Sequence, residues 1–127
     1  MALEFADDDA ERGREGLGLA DGMRITDRFG EALDILDKAD AAARSQGMVR
    51  ERAKIHHLRG NLYFPMGRID ECAVEHEKSL KFAQASGSAE AEANSLSGLA
   101  DASYVAGRMD TAFRYFSRCV EVAQQND

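Results

Sequence analysis

The side chains that could do chemistry are three histidines, two cysteines and a few dense runs of acid or glycine. His56 and His57 are neighbours. On a helix, adjacent side chains point about 100° apart, so they cannot close on one zinc ion as a pair four residues apart would. Cys72 and His76 do stand four apart, which could form half of a metal site. No second half is evident, and both residues fall in columns that read as helix packing. Cys72 and Cys119 read as small buried residues rather than as a disulfide or a metal pair. Gly13, Gly16, Gly18 and Gly22 match a phosphate loop in glycine number only, without its spacing or its preceding strand. Asp7, Asp8 and Asp9 read as a solvated tail, since calcium needs more ligands in fixed order. No Gly-x-x-x-x-Gly-Lys loop, Gly-x-Ser-x-Gly elbow or His-Glu-x-x-His helix is present. The expectation is no enzyme, no metal and no cofactor.

The elements that must position these residues repeat every forty residues. Asp27, Gly67 and Gly107 form a turn column, followed by Arg28, Arg68 and Arg108. Phe29, Ile69 and Met109 are large. Ala32, Cys72 and Ala112 are small. Leu36, His76 and Phe116 are large again, Ala39, Ser79 and Cys119 small, and Ala43, Ala83 and Ala123 close the set. Steps of three and four place these matched residues on one helix face. Before the turn, Ala20 matches Gly60 and Ala100, and Asp21 matches Asn61 and Asp101. Gly47 and Gly87 match beyond the second helix, where a helix C-terminus favours glycine. The pattern predicts six helices: from Asp8 or Asp9 to about Ile25, then 28–45, 49–64, 68–85, 88–106 and 108–125. The stripe Ile55, Leu58, Leu62 and Met66 is large where Gly98, Ala102 and Ala106 are small, which predicts complementary packing of the third and fifth helices.

One proline and 44% apolar residues in a 127-residue chain suit one small all-α domain. The 23 acids outweigh the 16 bases to give a net charge of −7. Phosphate contacts need a basic stripe, and none is found, so nucleic acid is not expected as a partner. The start of the chain lacks the basic and apolar regions of a signal peptide. No apolar run approaches membrane-spanning length. A reducing cytoplasm is the default expectation.

The repeat resembles the tetratricopeptide repeat. The residues that carry the resemblance are Gly60, Tyr63, Gly67, Cys72 and Ser79, and then Leu99, Ala100, Gly107, Ala112, Phe116 and Cys119. The family period is usually about 34, so the likeness is to a variety with lengthened helices. The chain departs from the family pattern at Arg59, His76 and Ser103 and in the glycine-rich stretch before Phe29. The resemblance implies three antiparallel helix pairs, with units of about 8–47, 48–87 and 88–127, stacked as a right-handed α-solenoid. It also implies a fragment of a longer array. Residues 55–67 and 88–93 further resemble the repeat region of bacterial proteins that join a class III nucleotide cyclase to an ATPase domain.

In such arrays the first helix of each pair lines a concave groove. The resemblance then places Arg14, Leu17, Asp21 and Arg24 on the groove face, followed by Lys54, His57, Asn61 and Phe64, and by Asn94, Ser97, Asp101 and Tyr104. Amide, base, acid and aromatic together suit an extended peptide of a partner protein. The competing reading is a solvated face with no ligand, in a spacer or dimerisation element. The family's carboxylate clamp needs several bases beside asparagines, and only Lys54 and Asn61 fit it. In the last helix Phe113, Phe116, Val120 and Ala123 form a stripe flanked by Arg114 and Arg118. An uncovered stripe of that kind predicts self-association, most simply as a two-fold homodimer.

Overall fold

Each helix gives way to the next through a short turn built on one glycine. The structure, a computed structural model, describes residues 28–126. Five helices follow in order: α1 (Phe29–Ser45), α2 (Val49–Tyr63), α3 (Ile69–Ser86), α4 (Ala89–Val105) and α5 (Met109–Gln125). The described residues contain no strand. The fold is an all-α helical repeat in which consecutive helices pack on one another. The expected first helix and the Asp27 turn position lie outside the described residues.

The turns share one mechanism. Gly47, Gly67, Gly87 and Gly107 all have φ between 65° and 80°, a region that costs a residue with a side chain 1–2 kcal/mol or so. The residue after each glycine then returns its N–H to a carbonyl of the preceding helix. Met48 donates to Ala43, Arg68 to Tyr63, Ser88 to Ala83 and Arg108 to Ser103, at 2.9 to 3.3 Å. This satisfies carbonyls that a helix end otherwise leaves orphaned. The helix after each arginine of the turn starts one residue later than the sequence suggests, while α2 starts at Val49 as expected. Arg28, Arg68 and Arg108 have ψ of 59°, 69° and 75°, outside the helical region, so they precede their helices as caps. Arg28 and Arg68 instead turn their side chains onto Glu31 and Glu71 one turn on. The expected ends also move by a residue: α2 stops at Tyr63 rather than 64, α3 runs on to Ser86, and α4 stops at Val105.

The core follows the matched columns through α3, but on α5 Cys119, expected to be buried, is half-buried and Ala123 is exposed, because no further described helix covers that face. Ala32, Cys72 and Ala112 are buried, as are Ala39, Ser79, Ala43 and Ala83. Small size lets helix backbones approach at these points. Ser79 and Cys119 add a second function: Ser79 Oγ donates to the carbonyl of Ala53 at 2.7 Å, and Cys119 Sγ to that of Ala93 at 3.3 Å. Leu36, Ile55 and Leu62 fill one cluster with Phe29, Leu33, Met48 and Leu58 around them. Each such buried aliphatic side chain contributes about 1.5–3 kcal/mol. This corrects the expected pairing with the small stripe of α4 at Ile55, Leu58 and Leu62, whereas Met66 at the stripe's end packs on the cluster that holds Ala102. Ile55 and Leu62 pack on α1. Of the small stripe, Ala102 is buried near Tyr63 and Cys72, Ala106 is exposed, and Gly98 meets His76 of α3.

His76 sets the spacing of three helices. Its ring lies between Gly60 of α2 and Gly98 of α4. A Cβ at either glycine would come within 2.5 Å of ring atoms. The large column is therefore accommodated by an absence of side chain on both neighbours.

Candidate functional site

Adjacent positions on α2 send His56 and His57 into different surroundings. His56 is buried toward α1 and α3, with Nδ1 3.1 Å from Glu75 and Nε2 3.5 Å from Asp40. Arg52 Nε donates to Asp40 at 2.8 Å, and Arg59 Nε to Glu75 at 2.7 Å. Arg59 also pairs with Asp37. Three carboxylates, Asp37, Asp40 and Glu75, thus face two guanidinium groups, Arg52 and Arg59, and the His56 imidazole. Phe82 completes the cluster, stacked on His56 with centroids 5.4 Å apart and covered by Arg52. Burial alone would lower the His56 pKa, but the contacts with Asp40 and Glu75 outweigh it and raise it. Burial likewise opposes ionisation of Glu75, and its bonds to His56 and Arg59 reverse that and lower its pKa. The cluster is internally balanced and ties α1, α2 and α3 together.

His57 lies on the other side of α2, its ring 5.1 Å from that of His76. Asn61 Nδ2 is 3.2 Å from His57 Nε2. Two clefts open along this side. The first is lined by Arg50, Lys54 and His57 of α2, by Ser79 of α3, and by Ser88, Glu90 and Asn94 at the start of α4. The second, of about 280 Å³, is lined by Asn61, Phe64, Pro65, His76, Gly98 and Asp101.

The groove residues expected from the sequence fall as follows. Lys54, His57 and Asn94 line the first cleft, and Asn61, Phe64 and Asp101 the second. Ser97 is half-buried and lines neither. Tyr104 is 64% exposed and also lies outside both clefts. Arg14, Leu17, Asp21 and Arg24 are outside the described residues. His76 was assigned to packing, and it does pack. It also forms part of the second cleft, with Nδ1 buried and without a hydrogen-bond partner among the described residues. Burial depresses its pKa to about 3, with the neighbouring His57 adding to the effect, so it is neutral. Cys72, deeply buried, has its thiol pushed up to about 11 by burial and by the Asp101 carboxylate, which makes it a poor nucleophile. Among the described residues no group of three or more histidine, cysteine or carboxylate side chains could hold a metal ion.

Phe113, Phe116 and Val120 lie exposed on α5. No helix among the described residues is long and apolar enough to cross a membrane.

Consecutive helices packed on one another through matching glycine turns define a helical-repeat protein. The chain belongs to the tetratricopeptide repeat family, whose model matches residues 51–125, more than half of its length. Repeats of this family generally act as non-catalytic scaffolds that mediate protein–protein contacts. A search of curated proteins finds no match.

Proposed function

We propose that the chain is a protein-interaction module that holds an extended segment of a partner protein along the α2 and α4 face. The observation that carries this reading is the pair of clefts on one side of the molecule. Six groove residues line them: Lys54, His57 and Asn94 in one, Asn61, Phe64 and Asp101 in the other. A base, amides, an acid and an aromatic ring offer both backbone hydrogen bonding and side-chain selection. Tyr104 and Ser97 extend the same helix face. The parent would be a bacterial signalling protein of the cyclase–ATPase kind, acting in the cytoplasm. What supports that parent is the resemblance of residues 55–67 and 88–93 to the repeat region of such proteins. The test is a pull-down with the isolated chain, followed by the double change Asn61→Ala, Tyr104→Ala. Partner binding should fall with no loss of helicity by circular dichroism. Unchanged affinity would move the site off this face.

A second reading, a dimerisation element, is favoured by α5. Phe113, Phe116, Val120 and Met109 are each half or more exposed along one helix. Single exposed apolar residues are ordinary, but a contiguous strip is an association surface.

A further inference from the structure

The second cleft presents its polar groups with one bias. Asn61 Nδ2 lies against His57, so its carbonyl oxygen and one remaining amide N–H are what it can offer a ligand. Asp101 is exposed and supplies the one formal charge lining the cleft. His76 forms part of the wall, 1% exposed, and its Nδ1 is without a hydrogen-bond partner among the described residues. Phe64 and Pro65 form an apolar wall beside them. No lysine or arginine lines this cleft, whereas Arg50 and Lys54 line the other. At about 280 Å³ it is far larger than the roughly 30 Å³ that one water occupies.

We infer that this cleft receives a lysine or arginine side chain from the partner segment, with Asp101 as counter-charge and Asn61 as hydrogen-bond acceptor; this rests on the groove reading above. Acceptors and an anion with no competing base select a donor-rich cation. Phe64 and Pro65 suit its aliphatic stem, and the aromatic ring favours a cation nearby. A neutral His76 in the wall does not repel the charge. The net charge of −7 draws basic segments toward the chain from a distance.

The probe is a random peptide library displayed on phage and panned against the whole chain. Selected peptides should share a lysine or arginine. Replacing that residue by an uncharged isostere, norleucine or citrulline, should weaken binding about tenfold. Asp101→Asn should cause the same loss, and the two losses should not add. Asp101→Lys should restore binding to a peptide carrying glutamate at that position. Peptides that respond to Lys54→Ala or Asn94→Ala but carry no basic residue would overturn the cation and leave the groove standing. So would an affinity that Asp101→Asn leaves unchanged. Peptides insensitive to every groove change, or no selected peptide at all, would overturn both.

Discussion

His56 sits between two carboxylates, and His76 sits between two glycines, so the same side chain is pushed in opposite directions. The folded pKa of His76, about 3, lies below the ordinary value near 6.5. As pH falls below about 6.5 the unfolded chain takes up this proton first. Stability is then lost at up to about 1.4 kcal/mol per pH unit until the folded value is reached. His56 has the opposite sign: its raised pKa gives a contribution fully present below about 6.5 and lost as pH rises through the folded value. We predict that the His76 ring signals do not titrate above about pH 4 by NMR, while those of His56 titrate above the ordinary histidine value. His76→Leu, which copies Leu36 of the same column, should flatten the loss of stability between about pH 6 and 4. A His76 titration near 6.5 would show that the ring is hydrated and not clamped. Glu75 faces both His56 and Arg59 from within the core. Glu75→Gln leaves those cations short of a charge and should cost about 3 kcal/mol in urea denaturation; an unchanged midpoint would mean that the cluster adds nothing to stability. This cluster was not identified from the sequence, although its α2 half has a regular spacing. Arg52, His56, Arg59 and Tyr63 stand at steps of four, three and four, hence on one face. Their partners Asp40 and Glu75 were not legible, because polar residues on a helix are usually solvated and only tertiary contact distinguishes these two.

At the scale of the element, the spacing between α2, α3 and α4 depends on what the glycines lack. Gly98→Ala adds about 1 kcal/mol of helix propensity but drives a Cβ to within 2.5 Å of the His76 ring. The clash should win, with a net loss of about 1–3 kcal/mol as overpacking. The same substitution in a His76→Ala background should instead be neutral or stabilising. A cycle of the two changes measured by denaturant therefore reverses sign, and simple additivity would show that His76 does not hold the helices apart. The sequence marked this region as large residues opposed by small ones, but it paired α2 with α4 along the whole stripe, whereas only Tyr63 at the end of α2 and Met66 just beyond it share a cluster with Ala102. Columns reveal which residues share a face. They do not say which neighbouring helix that face meets, since α3 touches both α2 and α4. That Lys54, His57 and Asn61 share a face was legible from spacing alone, whereas the expectation that this face lines a groove came from the family resemblance. The contribution of His76 to the cleft was not, because a residue in a packing column has no sequence mark of reaching a surface.

At the scale of the whole molecule, one column has two fates. Leu36 and His76 are 0% and 1% exposed, each covered by neighbouring helices, while Phe116 at the matching place on α5 is 50% exposed. Phe113 beside it is 74% exposed, and Val120 one turn further on is 50% exposed. The described residues supply nothing that covers this strip. Removing it from water would stabilise an associated state at about 25 cal/mol per Å² of apolar surface. Arg114 and Arg118 flank the strip, which favours a defined polar edge over open-ended aggregation. A two-fold arrangement closes with a single self-complementary patch, so we expect a dimer in which α5 packs on its copy. Phe113→Glu places a charge at the centre of that contact. It should return the chain to a monomer by sedimentation velocity while circular dichroism stays unchanged, because Phe113 is exposed and contributes little to its own fold. Asp101→Asn, on the groove side, should leave the dimer intact. Sedimentation of the unaltered chain as a monomer at high micromolar concentration would refute the dimer and leave α5 as a face for some other helix.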